Sequence, residues 1–362
     1  MRKALADLAQ NMYRQKEFEI AFAATQEAEG RQTDPILSAT LALLAAQSRE
    51  QMFYRSARPL SRIPMPFSSV YTDIPFSAYD RERYFLIEDA LRRFDSLLTA
   101  PEPVSAVARF HRAGILYRVY HDFDTALKEY RMLADAPLPQ LANTVYTRIA
   151  ELHGARGDYE EGVRSLRRAA QDHGLSAAEE DRLAAPLLLA SFLAGETDSL
   201  AARTAQTLSL LPENDPLYND VLGFAGFVSG ALKDTLNHAR WLEAERLLRR
   251  NEISRAAELF ETLLSGNSPA AALYGIRCLD CLRLLDDTER EKQVWERYYR
   301  KLLTTPSADF FMLRYAEFQE IKMHNLKNAI EIYENYLLSY QESMYYEFIR
   351  QYVRQRHTTG AP

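Results

Sequence analysis

The chain has 362 residues, 47% of them apolar and 26% charged, with a net charge of −6. That is an ordinary balance for a folded protein, and the interspersed Arg and Glu argue against a dedicated nucleic-acid binder, which would concentrate a basic face. The longest apolar stretches, 183–195 and 221–232, fall short of the roughly 20 residues a membrane span needs and read as buried helices.

In chain order, the first segment, MRKALADLAQNMYRQKEF, reads as amphipathic helix. It lacks the continuous apolar core and small-residue cleavage site of an export signal. The expected location is the cytoplasm, with the periplasm as the alternative if the true start and a signal peptide lie upstream. A phrase then appears that returns along the chain. It reads KEFEIAFAATQEA at 16–28, HDFDTALKEYRML at 121–133 and GDYEEGVRSLRRAA at 157–170. Further copies are NEISRAAELFETLL at 251–264 and HNLKNAIEIYENYLL at 324–338. Each is a short polar turn, an apolar residue, two polar residues, a small residue and an amphipathic run. A recurrence of this kind marks a repeat array.

The copies resemble the tetratricopeptide repeat, a helix–turn–helix of roughly 34 residues. The best match runs Phe110, Ala113, Gly114, Tyr117, Ala126, Tyr130 and Leu133, followed by Pro137. The next runs Tyr146, Ile149, Ala150, His153, Gly162, Leu166 and Ala169. The N-terminal copy is Leu5, Leu8, Ala9, Met12, Ala21, Thr25 and Ala28. Others place Ala244, Ala256 and Phe260, and Leu313, Ala329 and Tyr333. Two units are degenerate: 186–211, with Gly195 at its turn, and 269–303, with Asp286 and Asp287 at its turn and Glu291 in the small-residue slot. The resemblance implies an all-α fold, a right-handed α-solenoid in which small residues let paired helices cross closely and neighbouring pairs complete the core. The expected organisation is repeat helices over 1–52, a non-repeat loop over 53–79, repeats over 80–340, a capping helix over 341–356 and a tail over 357–362. The segment 328–355 also resembles the closing repeats of bacterial envelope proteins of this class, outer-membrane assembly lipoproteins and the Tol–Pal-associated protein among them, although Gln341 stands where Pro is usual.

Chemistry is hard to find. Cys278 and Cys281 form one C-x-x-C inside a helix, with no second pair to complete a zinc site and no preceding strand. The seven histidines show no ligand spacing. Gly223, Gly226 and Gly230 are flanked by Phe224, Phe227 and Val228 with no strand before them and no Lys after, so they read as helix packing and not a phosphate loop. No catalytic residue, cofactor or metal is expected.

Residues 53–79 break the helical period and hold the aromatics Phe53, Tyr54, Phe67, Tyr71, Phe76 and Tyr79. Long loops inside compact arrays are uncommon and usually functional or disordered, and these aromatics favour packing. The loop either lies along its own array and fills part of the groove, or docks a partner, self-association included. Phe67, Tyr71 and Phe76 are its candidate contacts. The resemblance further implies that first helices line a concave groove. Inward positions would be His111 and Arg118, Trp241 and Glu245, Arg314 and Phe318, and Tyr13 in the first repeat. Aromatic–Arg neighbours suit interface hot spots. Ala6 and Gln10 stand where the subfamily that clamps chaperone C-terminal carboxylates uses Lys and Asn, which argues against that function. The expected role is a non-enzymatic scaffold for a peptide or partner domain. A cell-envelope assembly adaptor and a glycan-binding solenoid are the alternatives.

Overall fold

The computed structural model describes residues 2–29, 34–57, 59–63, 74–135, 141–172, 177–215 and 217–358. They form eighteen α-helices and, among the described residues, no strand. The chain divides into two compact units, 1–58 with 74–196, and 59–73 with 197–362. Unit 1 holds α1 (Arg2–Arg14), α2 (Phe18–Glu29), α3 (Pro35–Tyr54), α4 (Tyr84–Leu97), α5 (Val104–Ile115), α6 (Phe123–Asp135), α7 (Ala142–Arg156), α8 (Tyr159–Asp172) and α9 (Ala177–Ala194). Unit 2 holds α10 (Leu200–Leu210), α11 (Tyr218–Lys233), α12 (His238–Arg249), α13 (Ile253–Ser265), α14 (Ala271–Leu284), α15 (Thr288–Leu302), α16 (Ala308–Ile321), α17 (Leu326–Ser339) and α18 (Tyr346–Thr358). Consecutive helices pack within each unit, and α1, α3 and α5 also touch in a row, as do α7 and α9. This is an all-helical repeat fold.

The returning phrase is a turn. Its first residue has a left-handed backbone at Lys16, His121, Gly157, Gly195, Asn251, Asp286 and His324, with φ between 51° and 86°. Five of the seven are not glycine, an uncommon conformation that local capping must hold. In five of the turns the following N–H reaches a carbonyl five residues back, as from Glu17 to Met12 (2.9 Å) and from Asp158 to His153 (2.8 Å), the bond of a helix C-terminal cap. After His121 and His324 it reaches six residues back, to Leu116 and Gln319. The first of these continues α5 as a π-helical turn, Leu116–Tyr120.

The slot five positions after the left-handed residue is small in five of the turns, and Leu200 fills it after Gly195. Ala21, Ala126, Ala256 and Ala329 occupy it and are fully buried. Gly162 does the same in α8, where a Cβ would meet the Ala150 carbonyl at 3.0 Å. Glu291 stands at the same offset from Asp286, so the register of 269–303 is regular and the slot itself has changed chemistry. The core of unit 1 runs through Phe53, Leu86, Ile87, Phe94 and Ile115. The last helix, α18, spans Tyr346–Thr358, where a helix over 341–356 was expected. No helix among the described residues is long and apolar enough to cross a membrane.

Two glycines test this packing by chemical denaturation. Gly154 in α7 has nothing nearer its added Cβ than Tyr159 at 4.0 Å. Gly154→Ala is expected to stabilise by about 0.4–1 kcal/mol, through lost chain entropy of the unfolded state. Gly162→Val is expected to destabilise by about 1–3 kcal/mol, because the crossing helix backbone cannot recede. Equal effects of the two would show that α7 and α8 do not cross closely.

Candidate functional site

Unit 1 carries an open cleft of about 440 Å³. Its wall comes from α3 (Glu50, Gln51, Tyr54), α5 (Phe110, His111, Gly114), the π-helical turn (Arg118), α6 (Tyr130) and α7 (Arg148), and from Ala57, Ser77 and Tyr79 of the non-repeat segment. Arg118 lies on the π-helical turn that continues α5, and such turns are frequent at functional sites.

Charge is distributed unevenly around this wall. His111 Nδ1 lies 2.6 Å from Glu50 Oε2, its Nε2 lies 2.9 Å from Gln47 Nε2, and its ring stacks on Phe94 at 5.3 Å. Burial opposes the imidazolium, but the Glu50 carboxylate outweighs it and raises the His111 pKa. Arg148 is paired with Glu151 on its own helix. Arg118 has no carboxylate partner among the described residues. Tyr54, Tyr79 and Tyr130 have raised pKa values, chiefly from burial, with Arg118 offsetting part of the rise in each. All three phenols are therefore protonated at neutral pH and able to donate. A guanidinium framed by phenol donors is an arrangement for holding an anionic group.

The sequence-derived candidates separate into two sets. His111 and Arg118 line the cleft. Tyr13 is half-buried against Phe18, at 5.2 Å, and the cleft residue Glu50 contributes to raising its pKa to about 12, after burial. Phe76 is buried against Tyr117, His121 and Phe123 and anchors the segment that brings Ser77 and Tyr79 to the wall. Phe67 and Tyr71 lie outside the described residues.

Trp241, Glu245, Arg314 and Phe318, expected on an exposed groove, are at most 2% exposed. Trp241 lies between Phe227 (5.0 Å) and Tyr274 (5.4 Å), and Phe318 lies beside Trp295 and Tyr315. Glu245 and Arg314 are covered by a ladder of buried ion pairs that joins α12, α14 and α16 and takes in Glu291 of α15. Arg277 Nε donates to Glu245 at 2.9 Å, and Arg314 Nη2 to Asp280 at 2.7 Å. Arg283 donates to Glu317 at 2.7 Å and to Glu291 at 2.8 Å, and Trp295 Nε1 also donates to Glu291. The changed slot at Glu291 is thus a partner for Arg283. The partners stand 32 or 34 residues apart between first helices, about one repeat. Opposite charges at that spacing are the signal a reading for exposed anchors passes over.

Cys278 and Cys281 are free and buried in α14, with the Cys278 thiol pushed up to about 12 by burial. Such thiols are poor nucleophiles. Among the described residues no cluster of His, Cys, Asp or Glu could hold a metal ion.

The His111–Glu50 pair fixes a pH dependence. A raised folded-state pKa adds stability that is full below the unfolded value, about 6.5, and is lost as pH rises through the folded value. The stability difference between the intact protein and Glu50→Gln is therefore expected to be greatest near pH 6 and to shrink by pH 9. Melting curves at the two pH values measure it; a gap that widens with pH would rule out an imidazolium at His111.

No family model and no curated protein matches the chain by sequence. Among solved structures it is similar to the tetratricopeptide domain of P58(IPK), at 12% identity and TM-score 0.26 over 99% of each chain. It is similar to human IFIT1, a dimer with m7Gppp-AAAA, at 14% identity and TM-score 0.29 over 96% of this chain and 79% of that one. Yeast Tom70 matches at 11% identity and TM-score 0.29, over 99% and 96%. Superpositions this loose give no ground for carrying a ligand or partner across to this chain.

Proposed function

We propose that the protein is a non-catalytic scaffold that holds a peptide segment, and that the unit 1 cleft is the seat. The observation that carries this reading is Arg118, a cation on the cleft wall with no carboxylate partner among the described residues and three neutral phenols around it. The cleft is about 440 Å³ and formed across four helices and the Phe76 segment, so a bound chain would meet residues from several repeats at once. Among the described residues, the one carboxylate on its wall, Glu50, already faces His111. A ligand with an acidic side chain fits that charge pattern. A membrane insertion or nucleic-acid role finds no comparable support in the composition.

Selection of binders from a random-peptide display library against the intact protein, followed by calorimetry, tests the reading. Selected peptides are expected to be enriched in Asp and Glu and to lose about 10–100-fold in affinity for Arg118→Ala, the size of one charge-assisted hydrogen bond. The melting temperature of Arg118→Ala should stay near that of the parent protein, because the guanidinium has no internal carboxylate to lose. Unchanged affinity for Arg118→Ala would remove the cleft from the mechanism.

A further inference from the structure

The first half of the non-repeat segment behaves in unit 2 as a bound peptide would. The Leu60 carbonyl accepts from Arg283 Nη1 at 2.6 Å. Ser61 Oγ donates to Glu317 Oε2 at 2.6 Å, and the Arg62 backbone N–H donates to Glu317 Oε1 at 2.5 Å. The Arg62 side chain lies 3.3 Å from Glu320 and 5.7 Å from the centre of the Tyr352 ring. Ile63 is 3% exposed.

The receiving groups are not surface residues recruited by chance. Glu317 is 2% exposed, and burial alone would raise its pKa; Arg283, Arg314 and the Ser61 hydroxyl hold it below its usual value instead. Both of its oxygens accept from the segment, while Arg283 is fixed from behind by Glu291. Two of these bonds go to backbone atoms and would be available to any extended chain. The others read side chains: a hydroxyl at Ser61, a cation at Arg62 and an aliphatic group at Ile63. Filling a groove with apolar packing would need neither buried charge.

We propose that the face of α14 and α16 around Arg283 and Glu317 is a recognition site for an extended peptide with a hydroxyl residue, Arg and an aliphatic residue in succession, and that Leu60–Ile63 is its tethered occupant. A tethered segment competes at an effective concentration on the order of millimolar. A partner carrying the same pattern therefore binds only when the segment leaves or when its own affinity is high. The site lies in unit 2 and does not depend on the unit 1 cleft.

The test is fluorescence anisotropy with a labelled synthetic peptide of the sequence of residues 57–66. It is titrated against the intact protein and against Arg62→Glu, which sets a carboxylate in the segment against Glu317 and Glu320. The peptide is expected to bind Arg62→Glu at least tenfold more tightly than the intact protein. Adding Glu317→Gln to that variant is expected to abolish the gain. Circular dichroism and melting show whether the variant is folded, and Ser61→Ala/Arg62→Ala replaces it if it is not. Equal binding to intact and released protein, binding that survives Glu317→Gln, or no binding to a folded released protein overturns the proposal. So does unfolding of both released variants, which would make the segment a structural brace.

Discussion

Everything in this chain rests on how closely two antiparallel helices cross. A single amphipathic pair cannot bury its own apolar face, so stability comes from stacking, and stacking needs a compact unit. The compactness is set by a residue with no room for a side chain beyond a methyl group. Ala21, Ala126, Ala256 and Ala329 meet that condition, and Gly162 meets it against a backbone carbonyl at 3.0 Å. The turn that precedes each one fixes the offset. A left-handed residue closes the first helix, two residues later the second begins in all but one case, and the small residue then faces the crossing. Asn and Asp tolerate that backbone better than most side chains, which accounts for Asn251 and Asp286. His shares that tolerance, which covers His121 and His324, whereas Lys16 has no such advantage and is held by the capping bonds around it.

The same local logic explains what could be read from the sequence. Turn, offset and small residue all fall within about half a repeat, so the phrase at 157–170 carries the geometry of α8 in its own letters. Of the two degenerate units, 269–303 obeys it, once Glu291 is seen as the slot residue bound to Arg283. The cleft was legible only in part. His111 and Arg118 lie on the helix the best-matching copy defines, whereas Tyr54, Tyr79, Tyr130 and Arg148 come from four separate elements brought together by stacking. No spacing in the chain records that convergence.

Trp241 and Arg314 were misread for a different physical reason. A helical period tells which side of a helix a residue occupies but not what covers that side. In unit 2 the cover is Phe227 and Tyr274 for Trp241, and Asp280 for Arg314. Removing ions of this kind from water costs several kcal/mol each before pairing. A guanidinium at 1% exposure is therefore tolerable only where a carboxylate one repeat away has been placed to meet it. Such pairs add little net stability but penalise any slip between neighbouring repeats, since a slip would strand each charge. The ladder thus acts on register more than on strength.

This distinction separates the two units chemically. In unit 2, Glu245, Arg277, Asp280, Arg283, Glu291, Arg314 and Glu317 are matched among themselves, and the two oxygens of Glu317 complete their bonding with the Leu60–Ile63 segment. In unit 1, Arg118 has no carboxylate partner among the described residues. A buried carboxylate completed by a piece of the chain's own backbone and a cation left facing an open cleft are two solutions to one constraint: a first-helix face rich in charge must be satisfied by something. Where the chain supplies that partner itself, the face is closed until the partner departs. Where it does not, the unmet charge defines what a ligand has to bring.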